Sequence, residues 1–402
     1  MQKLKSDFLI SFFFLLLGLL NFVLMVFMSR SLIAQKFNPI QAEKIYNQSQ
    51  WQQSQNIAPD KARDEWAIRN HYSGWSDFVS VNKNKVDVKQ VSDKILASIG
   101  KKVVSDSFLY TYVGYKYING ANPSLLNPEH PPLAKYLIGY SINIFGNEHI
   151  LGIGIAFAVL LLVFIISYLV FGSFRTASLA LCISSFFSLF TDQIIHGPQL
   201  ELYQLFFFLL VLLFLLMGTK RNSVIFYIFA GISYGLLLST KTFLPFFLIF
   251  SLWIVLSFWK KWREIAIVIG VGLITFIITY YQYFALGGTL RTFLGLQKYI
   301  VVFYGNAHIP FIEFAGNYLR LIFTGSWKFW DTARSVSFYT EWNIFWPLIF
   351  LLGVWRIKKV WRKNVFVNLL INFLILYSLF VFITPIFPRY LLLLYIPLII
   401  FL

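Results

Sequence analysis

Cysteine is nearly missing from this chain: one residue in 402, Cys182, set inside an apolar run. A lone thiol rules out an internal disulfide framework and a cysteine metal cluster. Charge is scarce too, at 13% of residues, and acids are half as numerous as bases, 17 against 34. Soluble domains carry about 25% charged residues, so an ordinary soluble domain is excluded. A small-residue cleavage site is lacking after the first apolar run, residues 8–28, which continues Ser29-Arg30-Ser31-Leu32. That run is also longer than the apolar core of a secretory signal, so it reads as a retained first helix. No serine, histidine and aspartate combination suggests a covalent nucleophile. His71, His149 and His308 lack metal-ligand spacing and read as ordinary loop residues.

What the chain has in abundance is apolar surface, 58% hydrophobic and 20% aromatic. A helix crosses the hydrocarbon core in about 20 residues. Runs approaching that length follow at 150–171, 177–190, 202–217, 224–239, 243–259, 265–284, 344–355, 365–384 and 390–402. The expected fold class is therefore an all-α polytopic membrane protein. The net charge of +17 does not mark a nucleic-acid binder, because the bases cluster between apolar runs, where topology and anionic lipid account for them. Lys3 and Lys5, Arg175, Lys220 and Arg221, Lys260, Lys261 and Arg263, and the group from Arg356 to Lys363 fall in alternate turns. The positive-inside rule then places the N-terminus in the cytoplasm of a multi-pass plasma-membrane protein.

This alternation predicts a first helix over 1–29, a long outer loop over 30–149, helices two to seven over 150–286, an outer aromatic and amphipathic loop over 287–343, and helices eight to ten over 344–402. The Lys- and Asp-bearing stretch 82–94 reads as a solvated face. The second outer loop alternates aromatics with cations, as in Arg291, Lys298, Tyr299, Trp327 and Lys328. It reads either as an interfacial helix pair or as a lid over a lipid-anchored substrate.

Charged residues next to apolar runs are the candidates for chemistry. Asp106 opens the stretch 105–139, which ends in Asn127-Pro128-Glu129-His130-Pro131-Pro132-Leu133-Ala134-Lys135. The paired prolines force a turn there and would hold Glu129, His130 and Lys135 at the membrane surface. Glu201 begins an apolar run just after His196-Gly197-Pro198-Gln199. A carboxylate at the hydrocarbon edge is costly, so it is paired, solvated or functional, although a helix dipole also favours it. Lys241 closes the run that carries Gly231 and Gly235, and Arg389 precedes the last run. Both are predicted outer cations, which positive-inside disfavours unless an anion such as phosphate meets them; snorkelling to headgroups is the alternative. The small residues before Lys241 signal close helix packing.

Asp106, the aromatic run and Gly114 after it, and His130-Pro131-Pro132-Leu133-Ala134-Lys135 together resemble the first outer loop of the protein O-mannosyltransferase family and its bacterial relatives. Thr240-Lys241 after Gly235-Leu236 and the turn before Glu201 are similar to further elements of that family. The resemblance implies a GT-C-like helical bundle and an inverting transfer of a mannose-like hexose from a polyprenyl-phosphate sugar to a protein, lipid or glycan hydroxyl. It implies Asp106 as the general base, Glu201 facing the active site and Lys241 meeting phosphate; Glu129, His130, Lys135 and His196, inside or beside the matched motifs, are expected as further substrate or phosphate contacts, and Arg389 as one by its charge beside the last run. The family commonly has Asp-Glu where this chain has Asp106-Ser107; Asp64-Glu65 restores that dipeptide elsewhere and ranks below Asp106. Some GT-C enzymes use a divalent cation, for which Asp106 and Glu201 would offer oxygens. Three rival readings stand beside this one: a transferase of the same fold that adds aminoarabinose or galacturonic acid to lipopolysaccharide, a transporter or flippase, and, ranked below these, a non-catalytic scaffold.

Overall fold

The structure is a computed structural model that describes residues 2–49, 63–64, 66–68, 70–82, 87–98, 104–241, 244–258, 260–305, 311–328, 336–360 and 365–402. It is built of helices, joined by one two-stranded ribbon in which Ser326–Lys328 pairs antiparallel with Val336–Phe338. Among the described residues, four helices are long and apolar enough to cross a membrane: Asp7–Met28, Ile150–Phe171, Leu200–Arg221 and Val365–Ile383. A fifth is counted if Phe174–Phe186 and Ser188–Ile195, bent by 55°, form one span. Val224–Leu238, Phe246–Ser257 and Pro388–Phe401 are apolar but shorter.

The helices depart from the expected apolar runs in three places. The run 177–190 breaks at Phe187, whose extended backbone turns its ring onto Trp346 and Tyr395, at centroid distances of 5.7 and 4.5 Å. The run 265–284 stops at Ile278 and resumes as the short helix Tyr281–Ala285. The run 344–355 continues as Phe345–Val360 past Arg356, Lys358 and Lys359.

Glycines set the closest helix contacts. Gly18 lies against Leu181 and the Cys182 backbone, joining the first helix to Phe174–Phe186, and the Asn21 amide donates to the Ser185 carbonyl (2.7 Å) across the same seam. Gly231 and Gly235 face Gly272 on Trp262–Ile278, where a Cβ on Gly231 would come within 3.1 Å of the Val268 carbonyl. This is the close packing expected of those small residues. Gly114 and Gly139 do the same for Asp106–Ile118 and Leu133–Phe145; a Cβ on either would overlap the other's backbone.

The core gathers around Leu392–Phe401, a helix buried at every residue despite Pro397. It packs on Phe345–Val360, Phe174–Phe186, Ile150–Phe171, Val365–Ile383 and Leu200–Arg221. Tyr395 donates to the Trp346 carbonyl (3.0 Å), and the Trp346 indole donates to Ser188 (2.8 Å), so these two buried rings have their polar tips satisfied. Apolar side chains also cover the outside: Phe8, Phe13, Leu20, Phe246, Ile274 and Leu379 are each more than half exposed. In water such a belt would be untenable, whereas in lipid it faces its own solvent.

Candidate active site

Four segments distant in sequence meet at one end of the bundle. Ser105 caps the helix Asp106–Ile118, its hydroxyl accepting from the Phe108 amide (3.3 Å), which puts Asp106 at the first helical position. Glu201 stands in the first turn of Leu200–Arg221 and is 1% exposed. Lys241 follows the end of Val224–Leu238, and Arg389 sits in a one-turn 3₁₀ helix started by Pro388.

These side chains form one ionic cluster. The Arg389 Nη2 donates to Asp106 Oδ2 (2.6 Å) and its Nη1 donates to Gln199 Oε1 (3.0 Å). Its Nε lies 3.0 Å from Glu201 Oε1 at ion-pair distance, but without the alignment of a hydrogen bond. Lys241 Nζ donates to the same Glu201 oxygen (2.5 Å). Aromatic faces line the cations, with Tyr390 4.3 Å from Lys241 and Phe387 4.9 Å from Arg389. Two cations and two carboxylates balance, which the burial of Glu201 and the partial burial of Lys241 and Arg389 call for. Glu201 thus satisfies both readings of its position: a helix N-terminus favours its charge, and two cations engage it.

His130 enters from the paired-proline turn. Its ring meets Tyr110 edge-on at 5.9 Å, and Tyr110 shares a helix face with Asp106, one turn away. Burial first, then the charges of Lys241, Lys135 and Arg389, push the His130 imidazole well below the usual histidine range, so it is held neutral beside the cluster. Burial likewise raises the Tyr110 hydroxyl, with the charges of Asp106 and Glu201 adding to the effect. The Leu133 amide donates to the Ser239 carbonyl (2.9 Å), tying this turn to the strand of chain that presents Lys241.

Other candidates take different places. Lys135 is fully buried, and its ammonium donates to the Asn127 carbonyl (2.7 Å), the Asn127 side-chain oxygen (3.1 Å) and the His130 carbonyl (2.8 Å). Its three donors are spent on the loop, so it braces the turn instead of meeting phosphate. Burial presses it down to about 7. Glu129 accepts from the Asn127 amide inside the same brace, and burial raises its carboxyl. His196 is 58% exposed in its side chain and holds Asp192 Oδ1 through Nδ1 (2.7 Å). Asp64 accepts from the Trp75 amide (2.8 Å) at the start of the helix Trp75–Asn82, and Glu65 lies outside the described residues, as does His308. His149 pairs with Glu148.

Gln199, Tyr390, Phe387 and Tyr110 were not singled out by sequence. Tyr390 is adjacent to a flagged residue, Gln199 and Phe387 lie two positions from one, Tyr110 lies one helical turn from one, and only the fold turns that proximity into contact. A divalent cation does not fit this donor set: Arg389 is interposed between the two carboxylates, and among the described residues no three His, Cys, Asp or Glu side chains gather as ligands.

No known protein-family model and no curated protein matches the sequence. Among solved structures, ArnT from Cupriavidus metallidurans bound to undecaprenyl phosphate aligns with a TM-score of 0.55 at 13% identity, over 73% of this chain and 53% of that one. The same protein in the apo state aligns at 16% identity with a TM-score of 0.46, over 74% and 54%. The chain therefore spans about half the length of the structures it matches. The likeness is one of fold: an all-α polytopic membrane bundle of GT-C type with a long first loop.

Proposed function

We propose that the protein is a membrane glycosyltransferase that moves a mannose-like hexose from a polyprenyl-phosphate carrier to a hydroxyl of a protein or cell-envelope glycan on the outer face. The observation that carries this reading is the cluster of Asp106, Arg389, Glu201 and Lys241, a carboxylate base set against two cations at the end of an apolar bundle. A lipid-phosphate sugar needs those parts: a base for the acceptor, positive groups for the departing phosphate, and an apolar path for its chain. A groove of about 770 Å³ lined by Tyr318, Phe350, Leu374, Leu379 and Phe382 supplies such a path. It runs beside Val365–Ile383, whose Tyr377 hydroxyl donates to the Tyr390 carbonyl (2.9 Å) next to Arg389. The bound undecaprenyl phosphate of the ArnT structure supports a carrier of this chemistry.

Asp106 is the more exposed carboxylate, 37% in its side chain against 1% for Glu201, so it is the one an acceptor can reach. It takes the hydroxyl proton as the acceptor oxygen attacks the anomeric carbon and the carbon–phosphate oxygen bond breaks. The electron pair leaves on phosphate, where Arg389 and Lys241 meet the growing charge. Direct displacement inverts the anomeric centre and needs no protein nucleophile. Glu201 holds the two cations in register, and neutral His130 offers a ring nitrogen to the phosphate.

The test is release of polyprenyl phosphate from a labelled polyprenyl-phosphate hexose by the purified protein in lipid, across a panel of acceptors. Wild type should turn over, and Asp106→Asn should lose about 10²- to 10⁴-fold in rate. Full activity in Asp106→Asn would remove it as base, and no release from any donor would favour the transporter reading.

A further inference from the structure

The base of the proposed reaction is occupied. Asp106 Oδ2 is bonded to Arg389 Nη2 at 2.6 Å, a short charge-assisted contact, and a carboxylate held by a guanidinium is a poor proton acceptor. Arg389 is also a cation placed to receive the donor phosphate, and its Nε–H is buried without an aligned acceptor. The donor phosphate would thus be a third anionic claimant on a guanidinium already shared by Asp106 and Glu201.

We infer that Arg389 is an exchangeable clamp: the donor phosphate takes it from Asp106, and only then is the base free to accept a proton. This rests on the glycosyltransferase reading above. The exchange breaks one Arg389–Asp106 hydrogen bond and forms one Arg389–phosphate hydrogen bond. Lys241 stays on Glu201, whose carboxylate is 1% exposed and bonded at 2.5 Å. Gln199, which accepts from Nη1 at 3.0 Å, holds the guanidinium near both positions. During transfer the acceptor proton goes to Asp106, the acceptor oxygen bonds to the anomeric carbon, and the leaving pair rests on phosphate. When polyprenyl phosphate departs, Arg389 returns to Asp106, and the proton is lost to water through its exposed side. Acceptor activation without donor is thereby suppressed, and binding is ordered, donor first.

The exchange has a counter-intuitive consequence: removing the base should improve donor binding, because Asp106 competes for Arg389. The probe is undecaprenyl methyl phosphate, a diester with the single charge of the donor and no sugar to transfer. Its affinity is measured in nanodiscs for wild type, Asp106→Asn and Asp192→Asn. Asp192 is within electrostatic range of Arg389 but bonds to His196, so it reports the effect of losing a nearby charge alone. Asp106→Asn should bind about tenfold tighter than wild type, the equivalent of one charged hydrogen bond no longer in competition, and Asp192→Asn less than about twofold tighter. A cryo-EM structure of the wild-type complex should show Arg389 on the phosphate and off Asp106. Equal tightening in both variants, or an Arg389–Asp106 bond retained in the complex, would overturn the exchange and leave the glycosyltransferase reading standing. No diester binding by wild type or either variant would defeat the donor reading, and the exchange with it.

Discussion

His130 carries its information in what surrounds it. A histidine held neutral by burial and by three neighbouring cations takes up its proton only when the chain unfolds. Its folded affinity for protons lies below the unfolded one, near 6.5, so its contribution to stability is full above that pH. The contribution falls as pH drops below it, at up to about 1.4 kcal/mol per unit. The thermal midpoint of the wild type should therefore fall from about pH 6.5 to pH 5, and His130→Gln should fall less over the same interval. Equal slopes in differential scanning fluorimetry would show that His130 is not the group responsible. At this scale the sequence was readable where electrostatics forbids indifference: Asp106, Glu201, Lys241 and Arg389 stood out because charge beside hydrocarbon needs a reason. Lys135 obeyed the same reasoning and led elsewhere. Its partners are carbonyls of its own loop, set by the left-handed backbone of Asn127 (φ 49°) and by the paired prolines, and no pattern of residue types announces them.

Helices fix the site through close glycine contacts. Gly114 against Gly139 brings Asp106–Ile118 and Leu133–Phe145 together backbone to backbone, so Asp106 and the His130 turn are held by one rigid hairpin. Gly114→Val would wedge that contact apart, with an expected loss of about 1–3 kcal/mol of stability and loss of donor turnover. Gly154→Ala, on Ile150–Phe171 with nothing within 4 Å of the added carbon, is the matched control and should do neither. Identical behaviour of the two variants would show that the hairpin does not position the site. Helix positions were legible from runs of apolar residues, because length and composition suffice for that. The break at Phe187 was not. It depends on Trp346 and Tyr395 offering a pocket from more than 150 residues away in the chain, and the run itself reads as continuous.

Over the whole molecule, charge is sorted by end. Asp106, Glu201, Lys241 and Arg389 converge at one end, while Lys220, Lys261, Lys358 and Arg175 lie at helix ends of the other. Taken with positive-inside, this sorting supports an outward-facing site and a cytoplasmic N-terminus. The expected outcome of cysteine labelling in intact cells is that Asn119→Cys, exposed beside the site hairpin, reacts with a membrane-impermeant maleimide, and Lys220→Cys reacts only after permeabilisation. The reverse pattern would invert the molecule. Cys182 is buried and should stay silent in both.

The burial of Leu392–Phe401 at the centre of the bundle has a temporal meaning. Every helix it packs on leaves the ribosome before it does, and Arg389 emerges with it. Until then the nascent bundle has a vacant axis, and Asp106 and Glu201 have Lys241 as their only cation from this cluster. The four charges can therefore come together only once Arg389 has been made, and a chain interrupted before it would lack the cation that joins Asp106 to Glu201.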